Sequence, residues 1–471
     1  MKTILIKNGT VINPLNRRNP VRVADIFIRD GKIAKIKQNL DRPGADIVIN
    51  AKGKLVTAGL VDMHVHLREP GREDKETIAT ATRAAAKGGI TTILGMPNTS
   101  PTIDSQTTVK FVLEKGREEG IVNVLTAGAL TKNMEGKELA EIWEMKMNGA
   151  SMVIDDCAEE QGMRLRRLAL EYCKTFDMPI LTHPEDADLK DDAVMNEGWA
   201  ATQMGLSGSP ASTESLVVAR TLELLREVPT PYHFTHVTTE RSVELIREAK
   251  KDGLPVTADV TTHHLLLTDE ACLNYNTAAK VDPPLRTETD RLALIEGLKD
   301  GSIDAIITDH APHLLVEKFV PFAEAAVGII GLETLFALAY TELVEKKVLS
   351  LPEFFAKLTI NPASIIRSDR GKIVEEAIAD ISIFDPNEEW KIDKNKFQSK
   401  GRNTPFHGWK VKGKASEVIV GGELVVKQGE LLKGISTPSP SFSFLFALFG
   451  VDSPAPVSAS VQMLGCCHSH F

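Results

Sequence analysis

Between residues 59 and 309, eight short apolar runs recur, most of them separated by segments with helical spacing. The runs are Leu60-Val61, Thr91–Leu94, Val122–Leu125, Ser151–Ile154, Pro179–Leu181, Tyr232–Thr235, Val256–Val260 and Ala305–Ile307. Lys75 to Lys87, Leu216 to Leu225, Ser242 to Lys251 and Arg291 to Lys299 carry the 3.6-residue period between them. Strands that alternate with helices pair in parallel, and eight such units close on themselves. The expected fold class is therefore α/β, a TIM-like (β/α)8 barrel over residues 53–365. A doubly wound open sheet is the alternative, but no Gly-rich phosphate loop speaks for it.

The flanks read differently. Residues 1–52 show short strands, with Ile4-Leu5-Ile6 before Asn8-Gly9 and Ile26-Phe27-Ile28 before Asp30-Gly31. Both Gly-containing pairs predict hairpin turns. A matching set over 366–431 includes Ile381–Asp385, Val418–Gly422 and Leu424–Val426. Neither half can bury much apolar surface alone, so the two together predict one small β-sandwich domain built from both chain ends. Residues 432–471 begin a Ser/Pro-rich tail expected to lack order. Its apolar stretch from Phe442 to Val451 is far shorter than the ~20 residues a membrane span needs. The end Cys466-Cys467-His468-Ser469-His470 offers metal donors, but adjacent cysteines organise a tetrahedral site poorly.

A net charge of −9 argues against a nucleic-acid or anionic-membrane partner. The apolar run at the N-terminus is too short for a signal peptide. The 5 cysteines show no disulfide framework, so a reducing cytoplasm is expected.

Chemistry-bearing residues collect where these runs end. His64 and His66 flank Val65, and in an extended strand both point the same way. The fourth run ends in Asp155-Asp156, the fifth in His183, the sixth in His236 and the eighth in Asp309. In a parallel barrel, these C-terminal strand ends share one mouth. Imidazole and carboxylate suit zinc, and also manganese, iron or cobalt. Such a set exceeds one tetrahedral ion. It fits two ions sharing a bridging carboxylate, which would activate water and polarise a carbonyl. Taken singly, an aspartate after a strand is more often a helix cap.

Several motifs, taken in order, then resemble one family. Asp62-Met63-His64-Val65-His66-Leu67-Arg68-Glu69-Pro70-Gly71 is similar to the signature of cyclic-amide hydrolases of the amidohydrolase superfamily. Gly95-Met96-Pro97-Asn98-Thr99 and Thr308-Asp309-His310-Ala311-Pro312-His313 narrow the resemblance to the dihydroorotase family, in its longer bacterial type. Asp282-Pro283-Pro284-Leu285-Arg286 and Gly328–Thr334 agree with it.

The resemblance implies a fold and a site. It implies a metal-dependent-hydrolase barrel with His64, His66, Asp156 and Asp309 on one Zn2+, and Asp156, His183 and His236 on a second. Asp156 would bridge, with Asp155 its nearest competitor; no lysine stands at that strand end. The substrate would be dihydroorotate, bound by His66, Arg68, Asn98, Asp282, His313 and the backbone of Val327 and Gly328. Asp309 would be the catalytic proton carrier, and Leu314 to Val327 a candidate lid. Self-association and contact with aspartate transcarbamoylase are further implications. Other cyclic-amide hydrolases, such as allantoinase or hydantoinase, and a non-catalytic partner of aspartate transcarbamoylase are the alternatives.

Three departures from the family pattern stand out. Asp282 stands where asparagine is usual, Cys157 follows the bridging aspartate in place of glycine, and Ala326-Val327 replaces a proline and a large residue. An acceptor-only carboxylate at 282 is a poor neighbour for an anionic substrate.

Overall fold

The computed structural model describes residues 2–41, 44–155 and 162–432, with only the backbone described at Asp155. Asp156, Cys157 and the tail with its Cys466, Cys467, His468 and His470 lie outside the described residues.

Eight parallel strands among these residues carry the barrel, numbered β1 to β8 below. They are β1 Leu60–Val65, β2 Ile90–Gly95, β3 Asn123–Thr126 continuing at Gly128–Ala129, β4 Val153–Asp155, β5 Ile180–Thr182, β6 Tyr232–Phe234, β7 Val256–Thr261 and β8 Ala305–Ile307. The third strand is interrupted at Ala127. Its first part pairs with β2, as Gly95 with Thr126, and its second with β4, as Gly128 with Val153. Closure comes from a parallel bridge between Val65 and His310, with the His66 N–H donating to the His310 carbonyl at 3.0 Å. That seam excludes the open doubly wound sheet.

The strands read as near-continuous apolar runs because helices cover their outer face. The intervening helices include Ile78–Lys87, Ser212–Glu227, Glu240–Lys251 and Glu288–Asp300. Thr77 and Thr80 form a reciprocal cap at the start of the first of these. Val61, Met63, Leu94, Ile154, Leu181 and Ile307 pack as one buried cluster drawn from opposite arcs of the barrel.

Both chain ends enter one nine-stranded sheet. Leu55–Ala58 pairs antiparallel with Ile381–Lys391, placing Ile383 against Val56 and Ile381 against Ala58. Ile4, Ile6, Ile26, Ile28, Val56, Ile381 and Ile419 fill its buried side. Asp30-Gly31 makes the expected two-residue turn, with Arg29 opposite Lys32. Asn8-Gly9 does not turn the chain. Both residues lie inside the strand Ile4–Ile12, where register against Val21–Arg29 shifts between Ile6 and Gly9. Asn8 has φ 60° and its N–H donates to Asp25 Oδ1 at 2.7 Å. A bulge asks for the same left-handed residue as a tight turn, so the sequence signal is shared.

The sheet meets the barrel through stacked aromatics. Phe384 lies with its ring centroid 3.8 Å from that of Phe336, and Phe355 is close to both. Gly89, at φ +84°, lies so close that a Cβ there would fall 2.5 Å from Phe384. Phe384 is fully buried, so Phe384→Ala should cost about 3–5 kcal/mol of stability. Denaturant unfolding checks this; a loss under about 1 kcal/mol would show that the seam closes without the ring.

Candidate active site and metal centre

The strand alternation delivers its side chains as the pattern requires. His64 is the last residue but one of β1, inside the barrel mouth, and His66 follows the strand. Asp309 follows β8 next to the closing bridge. His66 Nε2 lies 3.1 Å and His64 Nε2 3.7 Å from Asp309 Oδ1. His183 and His236, just past β5 and β6, meet with His183 Nδ1 3.3 Å from His236 Nε2. The ring centroids of His64 and His236 are 5.1 Å apart, which joins the two groups. All five residues are buried. The sixth expected ligand, Asp156, lies outside the described residues.

The backbone is held out of its easy regions here. Arg68, His236 and Asp309 have φ of 61°, 38° and 46°. Non-glycine residues pay for that conformation, and it persists where surrounding structure enforces it, typically at functional sites.

A layer behind three of the imidazoles fixes which nitrogen each presents. Thr235 Oγ1 donates to Asp259 Oδ1 at 3.2 Å and so can only accept from His64 Nδ1, 3.0 Å away. That leaves the lone pair on His64 Nε2. His66 Nδ1 is 2.9 Å from Asn98 Oδ1, an acceptor, which likewise leaves His66 Nε2 facing Asp309. His183 Nε2 is 3.3 Å from Glu185 Oε2, which leaves Nδ1 facing His236. Asp259 also accepts from the His236 N–H at 2.5 Å and from His233 Nε2 at 2.8 Å. Every lone pair assigned in this way points toward the shared centre. The donor set of imidazole nitrogens and carboxylate, dry and convergent, therefore fits a resident metal.

The expected substrate-facing residues divide. Arg68 and His313 sit together, with Arg68 Nη2 3.3 Å from His313 Nε2. Arg68 Nε also donates to the Pro312 carbonyl at 3.3 Å. Asn98 turns its oxygen onto His66. Gly328, at φ +135°, donates its N–H to the Lys280 carbonyl at 3.0 Å and accepts from Asn403 Nδ2 at 3.0 Å. A Cβ at 328 would fall 2.7 Å from Ala311 Cβ, so the loop needs glycine there. Val327 is 38% exposed beside it. The candidate lid includes the short helix Leu315–Lys318, followed by Phe319, 94% exposed.

Asp282 does not face the site as an unpaired anion. Its Oδ2 accepts from Lys190 Nζ at 2.6 Å, and the same ammonium donates to Glu185 Oε2 at 2.7 Å. Burial and the neighbouring Glu185 carboxylate push the Asp282 carboxyl up, against the pull of Lys190. Burial acts upward on Glu185 as well, but His183 and Lys190 outweigh it and hold that carboxyl well below the usual range.

Sequence reasoning missed Glu185, Lys190, Asp259 and Asn403. Glu185 stands two residues past His183, the same alternation that singled out His64 and His66. Asn403 shows no such signal: it comes from the C-terminal side, yet its amide ties together two loops of the mouth. Its Nδ2 donates to Ala311 O at 2.8 Å and to Gly328 O, and its Oδ1 accepts from the His313 N–H at 3.0 Å.

A barrel whose mouth gathers imidazoles and a carboxylate is the arrangement of a metal-dependent hydrolase. The fold matches the solved structure of an L-hydantoinase (dihydropyrimidinase) from Arthrobacter aurescens at TM-score 0.82 and 26% identity, covering 92% of this chain and 98% of that one. The profile of the family described as Dihydro-orotase-like matches residues 53–242. The chain is 46% identical over 429 residues to a dihydroorotase of Acetivibrio thermocellus, covering 91% of this chain and 100% of that protein. It is 47% identical over 424 residues to a dihydroorotase of Pelotomaculum thermopropionicum, covering 90% and 98%. The chain belongs to the dihydroorotase family.

His313 yields a test of these electrostatics. Burial, with Arg68 and Lys75 close by, pushes its pKa down to about 3 from 6.5. The unfolded chain takes up a proton below pH 6.5 that the folded site refuses, so the stability tied to this group is present above pH 6.5 and drains away in acid. The His313 ring is expected to stay neutral from pH 8 to about 5, as followed by its imidazole NMR signals. A midpoint near the unperturbed value would refute the assignment.

Proposed function

We propose that this chain is a dihydroorotase, interconverting L-dihydroorotate and N-carbamoyl-L-aspartate in pyrimidine biosynthesis. The observation that carries the reading is the convergence of His64, His66, His183, His236 and Asp309 at one barrel mouth, with three of the imidazoles set by their neighbours to present a lone pair inward. In this reading, the ions are two Zn2+, one held by His64, His66, Asp156 and Asp309, the other by Asp156, His183 and His236. Bound there, zinc supplies a lowered pKa for water and a polarised carbonyl.

The chain's own residues do the rest. Arg68 presents a planar fork suited to the substrate carboxylate, with His313 as a neutral neighbour. His66, Asn98 and the backbone of Val327 and Gly328 complete the substrate wall, with Asp282 behind it. In the hydrolytic direction, water adds to the ring amide carbon and the carbon–nitrogen bond opens. Asp309 accepts the proton of that water and delivers it to the departing ring nitrogen. Ring closure reverses both transfers and releases the water.

A reducing compartment such as the cytoplasm suits the free, buried thiols of Cys173 and Cys272. Among the described residues, no helix is long and apolar enough to cross a membrane. Self-association and contact with aspartate transcarbamoylase rest on the resemblance alone.

The metal-replete protein is expected to turn over dihydroorotate and to leave hydantoin and allantoin untouched. Asp309→Asn should lower kcat at least ~10²-fold. Preferential hydantoin turnover would move the chain to the hydantoinases, and near-normal activity in the variant would place the proton carrier elsewhere. Elemental analysis should find two ions per chain, with His183→Ala losing mainly one and His64→Ala mainly the other. Less than one ion per chain after zinc-supplemented expression would end the binuclear reading.

A further inference from the structure

Beside the mouth, Lys190 lies between two carboxylates that come from different parts of the chain. Asp186 caps a single helical turn, Ala187–Lys190, by accepting from the Leu189 N–H at 3.1 Å. That turn folds Lys190 back over Glu185, five residues earlier in sequence. Arg220 Nη2 grips Asp186 Oδ2 at 3.1 Å and ties the turn to the helix Ser212–Glu227. Lys190 Nζ then lies 2.7 Å from Glu185 Oε2 and 2.6 Å from Asp282 Oδ2. The side chains of Lys190, Glu185, Asp282 and His183 are only 22%, 13%, 15% and 5% exposed, so little water is present to screen them.

His183, Glu185 and Asp282 bring ligand atoms within 4.8 Å of one another, a grouping that could itself suggest a cation site. The ammonium already stands between the two carboxylates, where such a cation would sit. The cluster is neutralised from within the chain. Glu185 is thereby held between a cation on one side and the His183 Nε2 hydrogen on the other. Without Lys190, Glu185 and Asp282 would repel each other, and Glu185 would be free to swing off the imidazole.

We propose that Lys190 is a positioning residue: bridged between Asp282 and Glu185, it clamps Glu185 against His183 Nε2 and so fixes His183 with Nδ1 toward the metal centre. This rests on the reading of His183 as a ligand. The pair also gives Asp282 a role in this chain. It anchors Lys190, and an asparagine there would anchor it less firmly.

The test uses the full-length, metal-loaded protein and its Lys190→Met, Lys190→Arg, Glu185→Gln and His183→Ala variants. Ion retention under chelator challenge and the visible spectrum of the cobalt-loaded form are read alongside kcat and KM. Lys190→Met and Glu185→Gln are expected to weaken retention of one ion by about 10- to 100-fold and to shift the cobalt bands. Lys190→Arg should restore most of both. Glu185→Gln is nearly isosteric, so it keeps the test decisive if Lys190→Met does not fold. Wild-type retention and spectrum in both variants would overturn the proposal while leaving His183 as a ligand. If His183→Ala itself retained both ions, the ligand reading would fall, and the proposal with it.

Discussion

The site depends on a buried carboxylate that closes the barrel. Asp62, fully buried in β1, accepts from the Thr308 N–H at 3.2 Å and from the Thr308 hydroxyl. It therefore fastens the first strand to the chain leaving the eighth. His64 and His66 stand two and four residues beyond Asp62, and Asp309 is the residue after Thr308. The same seam that shuts the barrel sets the spacing of these three groups. Burial pushes the Asp62 carboxyl up to about 7, so this anchor is itself costly to keep charged.

A dry mouth full of polar groups needs a second layer to hold it. Thr235, Asn98 and Glu185 each satisfy one nitrogen of an imidazole, and Thr235 and Glu185 are held in turn by Asp259 and Lys190. Mis-set by one tautomer, an imidazole would present a hydrogen where a lone pair is needed. The hydrogen-bonded backing is thus as specific as the imidazoles it supports.

The barrel and the strand ends that carry imidazole and carboxylate were legible because both follow from short-range periodicity. Alternate positions of a strand share a side, and parallel strands share an end. That reasoning places His64, His66, His183, His236 and Asp309. The bulge at Asn8-Gly9 was not legible, because a left-handed residue serves a bulge and a turn equally. The partner of Asp282 was not legible either: Lys190 is distant in sequence and reaches it from the long connection between β5 and β6. Asn403 lies still further away, in a connection without periodicity. Pairings made only by tertiary folding leave no local pattern to read.

The way Asn403 and the terminal sheet are used has a consequence for synthesis. Ile4–Ile12 and Leu55–Ala58, made before the barrel, belong to a sheet completed by Ile381–Lys391 and Lys410–Val420, which are made after it. The loops at Ala311, His313 and Gly328 likewise await Asn403. A nascent chain therefore carries its imidazoles well before it has the strut that sets the mouth around them. Vectorial synthesis withholds the finished centre until residue 403 has been made, and leaves the earlier strands with an unpaired edge meanwhile, the interval in which such edges are open to misassociation.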